Sequence, residues 1–422
     1  MSVLVAIIIT YTNLDNLGLE LVAYESFVIC FNTCSLYRFW LNIEKGEMDM
    51  DEYDVLVVGG GVAGSIAAKY AAQHGLKTLL IEKAKTPRNK PCSGIQFSYF
   101  DKLIGEKIPR EALCQNDLFK VEMVTPSGRV TRGKMRMLNF WRSTFDSWLN
   151  SLAVNAGAEF RDEVLFTGIK EDGKVITARC ATRNTKFEVK TRYLIAADGL
   201  LSGIRKKLRP EDFYKKATGG AINFYFKGET NLDPNTLYMY YQREFSNLMF
   251  AWAYLKDDQW VIGSGADPEP LEYAERFFNY IKERFSLRGK VVRREGFASP
   301  LKSGVFPGEG NILITGDAAG LVDLYRGVGM DNAAISGRLA VKAILKSEET
   351  SRPPCEIYGR LLKGMVHKID RNEAKQRAIF ATNKSLEKSL SPIRQLRNGI
   401  LMITAMQLNR ILPPESTITL PL

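Results

Sequence analysis

Residues Tyr53 to Glu82 read YDVLVVGGGVAGSIAAKYAAQHGLKTLLIE, and this stretch constrains the chain more than any other. An apolar run enters Gly59-Gly60-Gly61-Val62-Ala63-Gly64, a helical pattern follows, a second apolar run comes next, and Glu82 closes it. Strand, glycine turn, helix, strand and acid in that order make a dinucleotide-binding βαβ unit. Gly59 permits the tight turn, Gly61 lets the backbone approach a pyrophosphate, and Gly64 lets helix and strand pack closely. The helix N-terminus supplies unpaired N–H groups to the anion. Glu82, eighteen residues after Gly64, can accept hydrogen bonds from a ribose diol. Val62, Ala63 and Lys83 complete the cofactor-binding set of this unit. Glycine-rich turns alone are common wherever positive φ is needed, but here strand, helix and acid all agree.

A chain of 422 residues exceeds the size at which one core stops growing, which predicts two intimately joined domains. With only His74 and His367, and His74 inside the first cofactor helix, a histidine-based triad is not expected as the source of chemistry. The six cysteines are irregularly spaced, and only Cys30 and Cys34 stand close, so no zinc or iron–sulfur framework is expected and a reducing cytoplasm is. The chemistry must come from a cofactor. The net charge of +11 is uneven, residues 351–422 carrying twelve Lys or Arg against five Asp or Glu. That favours an anionic partner, an anionic membrane surface or a phosphorylated substrate; without a recognisable nucleic-acid signature, nucleic acid is not expected.

Residues 1–50 form an apolar, aromatic extension whose VLVAIII run is too short to span a bilayer; it reads as a start-site artefact, with Met48 or Met50 as the true start, or as an interfacial anchor. In residues 138–166, Phe145, Trp148, Leu149, Leu152 and Ala153 recur at helical spacing up to Gly157. Residues 164–190 alternate as an antiparallel meander, and a separate strand from Tyr193 to Ala197 leads into Asp198-Gly199. Between 218 and 265, Phe250, Trp252 and Tyr254 share one face of a strand and Met249, Ala251 and Ala253 the other, so the sheet is covered on both faces or lines an apolar cavity. A last strand, Asn311 to Thr315, meets Gly316-Asp317-Ala318-Ala319-Gly320 before a long helix from about Asp331. Asp317 can bind a ribityl hydroxyl or a pyrophosphate, and a helix starting near Gly327-Val328-Gly329-Met330 points its positive end at the cofactor.

Three motifs stand in fixed order: GGGVAG with Glu82, ADG followed by SGIRKKL, and ITGDAAG followed by RGVGMDNAAISGRLA. Over roughly residues 52–345 the chain resembles the aromatic-hydroxylase-type flavoproteins and, among them, the geranylgeranyl reductase family. The resemblance implies FAD, bound by the residues above together with Asp198, Gly199, Gly316 and Gly320, and by Arg142, which resembles the arginine that reaches back to the FAD phosphates. It implies an α/β architecture: a Rossmann-like FAD-binding domain (51–216 and 291–345), an interleaved antiparallel β-sheet substrate domain (217–290) and a basic helical C-terminal region (346–422). The segment PRNKPCSG, with Arg88, Lys90, Cys92, Ser93 and Gly94, resembles the stretch that places a cysteine beside the flavin, which adds Cys92, Ser93 and Gly94 to the implied cofactor-binding set. Cys92, Trp252, Phe250 and Tyr254 are therefore the expected catalytic residues.

The family's PxxYxWxFP stretch is here Asn247-Leu248-Met249-Phe250-Ala251-Trp252-Ala253-Tyr254-Leu255, keeping the tryptophan and losing both prolines. After GDAAG, Leu324, Tyr325 and Arg326 precede Gly327, where the family's proline and glutamate are lost. The implied activity is FAD-dependent saturation of isoprenoid C=C bonds, on a membrane lipid, prenyl diphosphate or prenylquinone, with NAD(P)H or ferredoxin as electron donor and a cytoplasmic or membrane-peripheral location. The competing expectations are a monooxygenase or halogenase on the same fold, or a flavoprotein that binds without turnover.

Overall fold

A computed structural model describes residues 51–416 apart from 174, 214–218, 299–303, 324–326 and 328. The 1–50 extension, Val328, and Leu324 to Arg326 lie outside the described residues. In chain order the strands are β1 (Asp51–Val58), β2 (Thr78–Ile81), β3 (Ile95–Gln96), β4 (Leu118–Val124), β5 (Val130–Asn139), β6 (Glu159–Arg161), β7 (Leu165–Asp172), β8 (Val175–Ala181), β9 (Lys186–Ala196), β10 (Gly220–Glu229), β11 (Thr236–Tyr240), β12 (Ala251–Lys256), β13 (Gln259–Ala266), β14 (Arg288–Ala298), β15 (Gly308–Glu309) and β16 (Ile312–Ile314). The helices are α1 (Val62–Gln73), α2 (Phe100–Ile104), α3 (Arg142–Asn155), α4 (Gly203–Leu208), α5 (Pro270–Arg284), α6 (Met330–Thr350), α7 (Pro354–Ile379), α8 (Asn383–Ser389) and α9 (Pro392–Leu408).

The apolar run of β1 has a physical consequence: Val55, Leu56 and Val57 are fully buried, as a strand covered on both faces must be. β1 is central in a parallel sheet ordered β16-β9-β1-β2-β6, with β15 antiparallel at one edge. α1 returns the chain from β1 to β2 and packs against α3 and α6. Small residues make that packing close: a Cβ at Gly337 of α6 would meet the Ala63 carbonyl oxygen at 2.4 Å.

The last strand of the meander and the strand expected at Tyr193 are one element. β9 runs unbroken from Lys186, pairing antiparallel with β8 and parallel with β1. Alternation in its first half gives way to a continuous apolar run, Leu194-Ile195-Ala196, as it enters the doubly covered sheet.

The second sheet is ordered β14-β10-β13-β12-β11-β4-β5-β3 and is antiparallel except where β11 meets β4. It thus reaches beyond residues 217–290, taking strands from 95–139 and running on through β14 to Ala298. Its two faces differ in their cover. On one, Phe277 and Ile281 of α5 pack against Tyr240, Ala251, Ala253 and Ile262. On the other, Trp252, Tyr254, Leu237 and Met239 look toward Phe380, Leu386 of α8 and Ala405 of α9. That face lines a cavity.

Candidate functional site

The cavity has a volume of about 1650 Å3 and runs from the glycine turn after β1 to the aromatic face of the second sheet. Its size exceeds the roughly 300–1,000 Å3 of a single-ligand pocket, leaving room for a cofactor and a substrate together. At one end stand Gly59, Gly61, Val62, Ala63, Glu82, Lys83 and Arg142; at the junction Cys92, Ser93, Asp198, Gly199, Asp317, Gly327, Gly329 and Met330; at the other end Phe250, Trp252 and Tyr254.

Four expected cofactor residues act without lining it. Gly64 is held at the α1–strand contact, where a Cβ would lie 1.9 Å from the Gly59 carbonyl oxygen. Gly94, Gly316 and Gly320 all adopt positive φ and shape the turns that carry their neighbours to the cavity. The Gly316 N–H donates to Ser336 Oγ on α6 (3.0 Å), and Arg205 of α4 donates to the Ala318 carbonyl, so the second motif braces the third.

At the nucleotide end the Glu82 carboxylate accepts from the N–H groups of Gly60 and Ala84, both at 3.0 Å, and pairs with Arg88 Nε at 3.0 Å. Arg142 forms a two-pronged pair with Asp146, at 2.7 and 2.8 Å, and Arg88 Nη1 reaches the same carboxylate at 3.2 Å. Burial alone would lower the Arg142 pKa; the Asp146 charge outweighs it and holds the guanidinium protonated. Both guanidiniums face Gly61, whose added Cβ would meet Arg88 Nη2 at 3.5 Å and Arg142 Nη2 at 3.8 Å. α1 begins there without a side-chain cap and with no acid in its first turn, so its free N–H groups and two arginines converge on one anion-sized space. That space fits a pyrophosphate.

Asp317 is pushed up by burial, but Lys90, donating to Oδ2 at 3.1 Å, holds it below the usual carboxylate range. Asp198 Oδ2 accepts from the N–H groups of Gly203 and Ile204, whereas Oδ1 is buried without a partner and available to a bound group. Burial raises this carboxyl. Asp146 was not singled out in the sequence, where its spacing of four from Arg142 on one helix was the available signal, and Arg88 was named only as part of the PRNKPCSG segment, without its pairing to Glu82 and Asp146.

Residues 52–280 match the FAD binding domain family. A digeranylgeranylglycerophospholipid reductase of Methanosarcina acetivorans is 30% identical over 319 residues, 69% of this chain and 75% of that protein. The chain belongs to the geranylgeranyl reductase family. A geranylgeranyl diphosphate reductase of Rhodobacter capsulatus is 28% identical over 313 residues, covering 72% and 77% of the two chains. A geranylgeranyl bacteriochlorophyll reductase-like protein of Thermoplasma acidophilum shares the fold, with a TM-score of 0.73 at 24% identity over 82% of this chain and 92% of that one. This geranylgeranyl reductase family member is thus an FAD-dependent oxidoreductase, and the cradle around Gly61 fits that cofactor.

The aromatic end of the cavity departs in one detail from strict alternation. β12 begins only at Ala251, and the preceding Met249 and Phe250 both line the cavity instead of taking opposite faces. From Ala251 the period holds. Trp252 is buried and its Nε1 donates to Asn223 Oδ1 at 2.8 Å. Trp252→Phe should leave that acceptor without its donor and lower stability by about 1–3 kcal/mol, read from denaturant unfolding of the FAD-bound protein. Tyr254 donates to the Ser93 carbonyl at 3.1 Å, and burial raises its pKa well above the ordinary value, so it stays a neutral donor.

In the same phase as Trp252 and Tyr254 comes Lys256, fully buried, donating to the Phe140 carbonyl and lying 4.7 Å over the Trp141 ring. Burial lowers its pKa from 10.5 to about 8. Between those values the unfolded chain binds the extra proton, so the Lys256 contribution makes stability rise with pH through this window, and the burial cost is fully present below it. The stability difference between wild type and Lys256→Met should therefore shift by roughly 3 kcal/mol from pH 8 to 10.5. Matched unfolding curves across that range check it; parallel profiles would contradict it.

Proposed function

We propose that this protein reduces C=C bonds of an isoprenoid chain carried by a membrane lipid, a prenyl diphosphate or a prenylquinone, with electrons from NAD(P)H or a ferredoxin-like donor. The observation that carries the reading is the continuity of the cavity, which joins the FAD cradle directly to an apolar, aromatic wall. Bound FAD would supply hydride to one alkene carbon. The chain's residues do the rest. Phe250 and Trp252 hold the hydrocarbon, whose burial is worth roughly 0.8 kcal/mol per CH2 and needs walls without charge. Cys92 faces the junction, with its Sγ accepting from the Gly94 N–H at 3.4 Å. The thiol proton at Sγ is placed to reach the second alkene carbon. Tyr254, through Ser93, positions that turn.

The test is product mass. Anaerobically reduced enzyme is given geranylgeranyl diphosphate or an unsaturated archaeal-type ether lipid, and a gain of two hydrogens per bond supports the proposal. Flavin reoxidation that needs oxygen and yields a hydroxylated or halogenated aromatic would overturn it in favour of the monooxygenase class.

A further inference from the structure

We propose that α9 docks this protein on an anionic bilayer and sets the apolar cavity's rim against the lipid. α9 packs inward through Ala405, Met402 and Met406, while Ile393, Leu401 and Leu408 are exposed away from the cavity and Leu396, Ile400 and Ile403 are exposed at its rim. Beyond the helix Ile411 is 78% exposed. Single exposed apolar residues are ordinary; a whole helix side of them is not.

Charge commits the occupant. From Pro392 to Ile411 the chain carries Arg394, Arg397 and Arg410 and no acid, and Lys384 and Lys388 of α8 add to the same basic end. The five are exposed. Exposed apolar side chains interleaved with arginine, and with the lysines of α8 nearby, match the boundary between anionic headgroups and acyl chains, where an amphipathic helix lies flat. No helix among the described residues is long and apolar enough to cross a membrane, so α9 lies on the surface.

Position ties docking to the cavity. Leu396, Ile400 and Ile403 line the cavity and are also exposed, so one apolar surface runs from the aromatic wall to the outside. A hydrocarbon chain would pass from bilayer to cavity without crossing water. This route rests on the reductase reading; the docking does not.

The experiment uses the full FAD-bound chain and sedimentation with phosphatidylcholine vesicles, with or without phosphatidylglycerol and free of isoprenoid lipid. Wild type should bind the anionic vesicles, more weakly in salt. The variant Ile393→Glu/Leu401→Glu/Ile411→Glu, whose positions do not line the cavity, should bind at least about tenfold less, with flavin spectrum and melting temperature unchanged. Its turnover should fall on vesicle-embedded substrate and persist on detergent-dispersed substrate. Wild type that ignores anionic vesicles would overturn the proposal. So would a variant that still binds them but has lost self-association, because α9 would then be covered by a second copy. If docking is seen and no substrate is turned over in either form, the docking stands and the reductase reading fails.

Discussion

Arg142→Met should be less stable by about 3 kcal/mol and should purify without FAD. The loss has two separable causes. Asp146 is 2% exposed, so removing its two-pronged partner strands a buried carboxylate, relieved only by Arg88 Nη1 at 3.2 Å. The same guanidinium faces Gly61, where the pyrophosphate is expected. Arg142→Met/Asp146→Leu removes the stranded charge, because replacing a buried ion pair by packed apolar side chains is often neutral. Stability should return in the double variant; FAD occupancy, read as flavin absorbance per protein, should not. A double variant that regains full FAD would show that Arg142 serves the fold alone.

Cys92→Ala should lower the rate of alkene reduction by about 10²–10⁴-fold, the range for removal of a positioned proton donor. The flavin spectrum and FAD occupancy should stay unchanged, since the FAD cradle near Gly61 is built from Glu82, Arg88, Arg142 and the α1 N–H groups. Cys92→Ser, which keeps a proton at that position, should recover part of the rate. Substrate affinity is expected to change little, because the hydrocarbon is held by Phe250 and Trp252. Equal losses in Tyr254→Phe and Cys92→Ala would instead point to the Cys92-Ser93-Gly94 turn as a rigid unit whose shape, not its thiol, matters.

Local chemistry was legible in the sequence and distant pairing was not. The βαβ unit, the Asp317 turn and α3 are each contained in one contiguous segment, where period and glycine placement decide the structure. The second sheet depends on β4 lying parallel to β11, a pairing of Thr236 with Lys120 that no local pattern reports. β9 misled for a related reason, serving two sheet environments within one strand. In the site, Glu82 was readable from motif spacing and Arg142 from the family resemblance, whereas Arg88 comes to Glu82 only because the loop after β2 folds back. Lys256 was within reach, being in phase with Trp252 and Tyr254, but a lysine ending a strand ordinarily points to water. Its burial follows from the Phe140 carbonyl and the Trp141 ring brought in by β5 and α3.

The most direct test of an FAD cradle and an isoprenoid cavity acting as one site is an anaerobic titration of fully reduced enzyme with a substrate of known double-bond number. One flavin should be reoxidised for each double bond saturated, with no oxygen present. Reduced flavin that stays reduced under excess isoprenoid, while reoxidising normally in air, would contradict it.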